Sequence, residues 1–265
     1  MTREGGTTTE EAIRWTEKAS ASSGVSVQGF ALEREGRSIP GVLWRPAAAA
    51  GPRPLVLMGH GGSGHKRNDG MTKMGRLFAG HYGWWAAAID GPAHGERGTV
   101  KSFLDAEYIQ MWRRPQVVED MIDDWRATLD ALSALGGIDP AHIGYWGVSM
   151  GTLFGLPFVA SDSRVRVAVL GKAGMSGPSV GRTGIDKHFR VYAPRVTLPV
   201  LFMIRLQDER FEPKGQFELF DLLGTSDKRI HAHPGPHSDT GTEVFEAAAD
   251  FLQRHLAPEA RPSVW

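Results

Sequence analysis

Five short apolar stretches constrain this chain more than anything else in it. PLVLMGH (54–60), WWAAAID (84–90), HIGYWG (142–147), VRVAVLG (165–171) and PVLFMIR (199–205) lack the alternation of a half-exposed strand, and Gly, Pro or polar residues bound each one. Runs of this kind suit parallel strands covered on both faces. Parallel neighbours need a crossover between them, and helical patterns occupy the gaps. Val118, Met121, Ile122, Trp125, Leu129 and Leu132 recur at spacings of three and four, with Gly136-Gly137 as a stop signal. Phe217, Phe220 and Leu223 repeat the pattern, as do Val244, Phe245, Ala248, Phe251 and Leu252. Alternation of strand and helix to the end predicts a doubly wound α/β sheet. Ahead of it, VSVQGFALE and SIPGVLWRP alternate around the charged turn from Arg34 to Arg37, which predicts an antiparallel hairpin at the sheet edge with one solvated face.

At 265 residues the chain has ample length for one α/β domain with a sizeable core. No internal repeat, low-complexity tract or Pro/Ser-rich linker divides it, so a single domain over 1–265 is expected, with 1–25 as an N-terminal extension. Two connections are long for this architecture, Gly91 to Arg114 and Gly171 to Leu198, and the second (171–198) is expected to form a small lid or pocket loop.

Thirty basic and thirty acidic residues cancel, so no overall field draws the protein to nucleic acid or to an anionic membrane. The expected partner is a small-molecule substrate, with a homo-oligomer as a further candidate that nothing in the sequence decides. The absence of cysteine removes disulfides, thiolate metal sites and a cysteine nucleophile together. No run is long enough to span a bilayer, and MTREGGTTTEEAIRW is acidic and polar where a secretory signal would be basic and then apolar, so cytoplasmic residence is expected.

Gly147-Val148-Ser149-Met150-Gly151 is the most specific chemical signal. It is G-x-S-x-G, directly after the strand HIGYW and directly before the helical run TLFGLPFVA. A strand turning sharply into a helix strains its apex and leaves room only for small residues two positions either side. The strain lifts the Ser149 hydroxyl above the sheet at a helix N-terminus, where unpaired amides favour developing negative charge. Ser176 lacks this context and reads as loop.

A serine hydroxyl needs a neutral imidazole to accept its proton, and the imidazole needs a carboxylate to fix its tautomer. Asp208 lies three residues past the PVLFMIR strand, and His237 follows the strand-like KRIHAHP run. The order Ser, Asp, His, each at a strand's C-terminal end, suits such a triad, with Glu209 as a rival acid. His231 and His233 alternate within a strand and read as packing or surface residues. No carboxylate-and-histidine helix motif supports reading the three as metal ligands, so no metal is expected.

Gly147 to Gly151, His60-Gly61-Gly62, Asp208 and His237 together resemble the α/β-hydrolase superfamily, and the compact layout resembles its dienelactone-hydrolase-like esterases, over about residues 26–256. The resemblance implies an α/β-hydrolase fold, a mostly parallel eight-stranded sheet flanked by helices on both faces. It also implies a serine esterase that cleaves a small-molecule ester substrate, a carboxylic ester, through an acyl-serine without a cofactor. The namesake enzymes use cysteine where this chain has Ser149, which speaks against their substrate. Peptidases, thioesterases and acyltransferases share the same triad.

GHGGSGHKRND remains open to two parses. Gly59, Gly61 and Gly64 satisfy G-x-G-x-x-G, with Asp90 available for a ribose, as in a nicotinamide-dinucleotide oxidoreductase. Yet HKRNDG after Gly64 is turn-like and the helical pattern begins only near Met71, too late to receive a phosphate. In the hydrolase parse, Gly62, or less favourably Gly61, gives one backbone N–H to an oxyanion and Met150 the second, with His60 bracing the loop. The Asp90 to Gly95 turn reads as structural. Tyr108 and Trp112 in one long connection, with Phe103 and Met111, and His188 and Phe189 in the other, with Tyr192, are candidate walls of an apolar substrate pocket.

Overall fold

Ten strands form one sheet in the computed structural model, which describes residues 13–257 except 49 and 240, and of 242 and 243 only the backbone. Expectations touching 1–12 and 258–265, including the first half of the N-terminal extension, lie outside the described residues. The eight long strands match the expected number: β3 (Val25–Arg34), β4 (Arg37–Pro46), β5 (Arg53–Gly59), β6 (Trp85–Ile89), β7 (Ile138–Gly147), β8 (Val165–Gly171), β9 (Val200–Arg205) and β10 (Lys228–His233). Two short ones, β1 (Arg14–Trp15) and β2 (Ser20–Ser22), belong to the extension and pair antiparallel with β3. At two and three exposed residues they are too short for any periodicity to register.

The strand order is β1-β3-β4-β6-β5-β7-β8-β9-β10, antiparallel up to the β4–β6 pair and parallel from β6 to β10. Side chains alternate across it. Leu55, Leu57, Ile143 and Tyr145 face helices α3 (Val117–Ala134) and α4 (Met150–Val159), whereas Val56, Met58, Val167 and Val169 face α1 (Asp69–Gly80) and α8 (Thr242–Leu256). Covered on both sides, these strands have no solvated face to alternate with, which is why their sequences run continuously apolar.

The β3–β4 hairpin is closed by Glu35 and Gly36, both at positive φ (48° and 74°), the geometry a two-residue turn needs to follow the strand twist. Its expected solvated face does not exist. Val25, Val42 and Trp44 are buried among the α1-side residues, and Phe30, Leu32, Ile39 and Leu43 lie in the cluster that includes α3, so both faces are interior.

Ionic contacts hold the connection after β6 against the sheet. The buried Asp90 carboxylate accepts from Lys66 Nζ at 2.6 Å and from the amides of Lys66 and Glu96, both at 2.9 Å. Arg97 donates to Asp90 O and, at 2.7 Å, to the buried Asp124 of α3, which also pairs with Arg37. The connection 171–198 folds as two short helices, α5 (Pro178–Thr183) and α6 (Asp186–Tyr192), following α4 in the chain. Ile185 and Phe189 insert into the core rather than over the strand ends.

Candidate active site

Ser149 sits at the β7–α4 junction with φ 58° and ψ −127°, a backbone conformation that costs about 1–3 kcal/mol for a residue with a side chain and persists only where its surroundings impose it. Those surroundings are visible. Ser149 N donates to Gly171 O at 2.9 Å, and Thr152 Oγ1 lies 2.8 Å from both Gly147 O and Gly171 O while accepting from Gly171 N. Tyr145 passes beneath the turn and donates its hydroxyl to Gly151 O at 2.7 Å. A Cβ on Gly151 would overlap the Gly59 carbonyl, and one on Gly147 would press on Gly151 O and the Tyr145 ring. The two glycines of G-x-S-x-G are therefore there for close approach of backbone to backbone.

The two residues expected from later strand ends, Asp208 and His237, converge on this turn. Ser149 Oγ lies 2.8 Å from His237 Nε2, and His237 Nδ1 lies 2.8 Å from Asp208 Oδ2. Asp208 Oδ1 is held separately by the amides of Arg210 (2.8 Å) and Phe211 (2.9 Å). Burial alone would raise the Asp208 carboxyl; the His237 hydrogen bond and charge, with these two amides, outweigh it and hold the group below the ordinary carboxylate value. Burial, aided by Lys172 and Arg210, outweighs Asp208 at His237 and holds its imidazole below the ordinary value. Glu209, the rival acid, points elsewhere: its Oε2 accepts from the His237 backbone N–H at 2.8 Å and so fixes the chain that carries the ring. Ser176 bonds Glu212, and His231 and His233 lie ring against ring on β10.

The GHGGSG stretch forms a loop and not a phosphate cradle. Gly59 ends β5, Gly64 N closes a turn onto Gly61 O at 2.9 Å, and α1 begins only at Asp69, capped by the Asn68 side chain on Met71 N. Asp90 is fully buried on Lys66 and out of reach of any ribose. His60 does brace the loop, with Nδ1 2.8 Å from Gly61 O and Nε2 accepting from Gly91 N at 2.8 Å; burial pushes its pKa down to about 4. Met150 is the first residue of α4, and among the described residues neither its amide nor that of Gly62 donates to a backbone carbonyl. Two such amides, one at a helix start and one in the facing loop, suit an oxyanion.

A groove of about 520 Å³ opens beside Ser149 and His237. Its walls differ from the expected ones. Gly61 to Gly64 and the start of α1 form one side; Trp146, Val148 and Phe245 supply apolar surface, and Lys172 and Arg210 supply two cations. Trp112 instead stacks on Phe154 at 4.6 Å in the core, and Phe189 is fully buried there. Burying a phenylalanine is worth about 1.5–3 kcal/mol, enough for packing to claim it. His188 faces Glu119 at 3.8 Å, and of the 171–198 connection only Lys172 reaches the groove. Tyr108 does not line the groove either, yet it packs on Gly62, whose missing Cβ would lie 3.1 Å from its ring. Lys172 carried one overlooked signal: like Asp208, it closely follows the C-terminal end of a core strand. Burial, with Arg205 nearby, lowers its pKa to about 8.

No protein-family model and no curated protein sequence matches the chain. Solved structures do. A cold-adapted esterase from an Arctic intertidal metagenomic library, in complex with polyethylene glycol, superposes with a TM-score of 0.82 at 38% identity, over 92% of this chain and 99% of that one. Acetyl xylan esterase from Paenibacillus sp. R4 matches with a TM-score of 0.70 at 19% identity, over 92% and 88% of the two chains. The 2,6-dihydroxy-pseudo-oxynicotine hydrolase matches at 0.67 and 19%, over 87% and 68%. The last two share the fold. The chain belongs to the serine esterases of the α/β-hydrolase superfamily, enzymes that hydrolyse carboxylic esters. The Arctic enzyme is the relative whose identity and nearly full-length overlap carry that assignment.

Proposed function

We propose that Ser149, His237 and Asp208 carry out this ester hydrolysis, with the amides of Gly62 and Met150 receiving the oxyanion. The observation that supports it is the unbroken relay of two 2.8 Å contacts from Ser149 Oγ through His237 to Asp208, with the strained serine at one end and a carboxylate anchored by two amides at the other. His237 Nε2 takes the Ser149 proton as Oγ bonds to the ester carbonyl carbon. The carbonyl π pair moves onto oxygen, where the two amides meet the charge. When that pair returns, the C–O bond to the alcohol breaks, and the proton on His237 leaves with the alcohol. Water then gives a proton to His237, attacks the acyl-serine and releases the acid, and the proton returns to Ser149 Oγ. No helix among the described residues is long and apolar enough to cross a membrane.

Hydrolysis of short p-nitrophenyl esters across pH tests the base. Only the neutral imidazole accepts the serine proton, so activity follows its deprotonated fraction. Because burial and the neighbouring cations disfavour the protonated ring, protonation occurs below the ordinary histidine value of 6.5. The acid limb of kcat/KM is expected to have its midpoint below pH 6.5, with more than half the plateau rate retained at that pH. A midpoint above it, or no acid limb, counts against His237 as the base.

A further inference from the structure

The motif Asp90-Gly91-Pro92-Ala93-His94-Gly95 has no part in the triad, yet its histidine reaches the oxyanion loop. His94 is completely buried. Its Nε2 lies 3.1 Å from Gly62 O and its Nδ1 lies 2.7 Å from Pro92 O. Both neighbours are acceptors, so either neutral tautomer donates to one of them and the protonated ring to both. The turn carrying it is closed by His94 N on Gly91 O and contains Ala93 at φ 62°, a strained conformation for a residue with a side chain.

Gly62 presents a mechanical problem. Its amide must aim at one point, yet glycine has the widest backbone freedom of any residue. Fixing the peptide planes on both sides of its Cα removes that freedom. The plane before it is held because His60 Nε2 accepts from Gly91 N, which puts the His60 proton on Nδ1 and directs it to Gly61 O. In a trans peptide the N–H points opposite the C=O, so this bond turns the Gly62 N–H away from His60. The plane after it has its carbonyl on His94. The Tyr108 ring closes the third side, edge-on to His94 with centroids 5.9 Å apart and in contact with Gly62.

We propose that His94 is a positioning residue for the oxyanion site, fixing the Gly62 peptide so that its N–H meets the charge that develops during ester cleavage. The proposal rests on the assignment of Ser149 and Gly62 given above. His94 touches no substrate and acts through the loop. Its loss costs transition-state stabilisation and leaves ground-state binding alone.

The test compares wild type, His94→Phe, which fills the space without a donor, and His94→Gln, which keeps an N–H for Gly62 O. Each is measured for kcat, KM and inhibition by a trifluoromethyl ketone, whose tetrahedral serine adduct places an oxyanion in the site. Fluorophosphonate titration gives the active fraction. His94→Phe is expected to lose kcat by about 10²-fold with KM little changed, as for a misplacement near 1 Å. The ketone Ki is expected to rise by the same factor, with partial recovery in His94→Gln. A folded, fully titrating His94→Phe with wild-type kcat and ketone affinity overturns the proposal alone; wild type that the ketone fails to inhibit overturns the Ser149 assignment as well. Should His94→Phe not fold, ¹⁵N spectra of histidine-labelled wild type decide: the proposal requires a proton on His94 Nε2 whose resonance shifts when the ketone adduct forms, and an unprotonated Nε2 or an unmoved resonance overturns it.

Discussion

Replacing Ser149 by alanine is expected to lower kcat on a p-nitrophenyl ester by about 10⁶-fold, the loss measured when the nucleophile of another serine hydrolase is removed. The protein should stay folded. Alanine keeps the Cβ, so the strain at φ 58° is unchanged, and the Ser149 N bond to Gly171 O does not involve the side chain. What disappears is the oxygen 2.8 Å from His237 Nε2. Steady-state kinetics beside a thermal melt separate the two quantities. A variant retaining more than about a hundredth of wild-type kcat means that another group attacks the carbonyl.

Asp208→Asn is expected to cost about 10⁴-fold in kcat, the size of effect produced elsewhere when the triad acid becomes an amide. Local geometry gives the reason. The amides of Arg210 and Phe211 both donate to Oδ1, so the asparagine must keep its carbonyl oxygen there and turn its NH₂ toward His237 Nδ1. That nitrogen then has to accept, the proton moves to Nε2, and the ring can no longer take one from Ser149. Glu209 cannot substitute, because its carboxylate is occupied by the His237 backbone amide. Near-normal kcat in Asp208→Asn together with an inactive Glu209→Gln would reassign the acid to Glu209.

Much of this arrangement could be read from the residues alone, for identifiable reasons. Strands covered on both faces write themselves as uninterrupted apolar runs, and 165–171 matches β8 to the residue. G-x-S-x-G was legible because close contacts at Gly147 and Gly151 tolerate no Cβ, which leaves a compositional trace. Asp208 and His237 followed from the rule that strand C-terminal ends in a doubly wound sheet gather at one edge. The pocket walls were not legible. Trp112 and Phe189 sit in seven-residue helices, where an aromatic facing the core and one facing a cleft have the same sequence signature. Distinguishing Glu209 from Asp208 required knowing which side of one turn faces His237, and adjacent acids differ in that only after folding. His94 was hidden for a similar reason: its partner, Gly62, lies 32 positions away and contributes only a backbone carbonyl.

Intact-mass analysis after treatment with an organophosphate, followed by peptide mapping, tests most directly whether folding has made one serine a nucleophile. Only an activated hydroxyl beside a neutral imidazole reacts rapidly with such a reagent. A single phosphyl adduct is expected, confined to the peptide containing Ser149 and absent from Asp208→Asn on the same timescale. An unmodified protein, or an adduct on a different residue such as Ser176, would contradict the account.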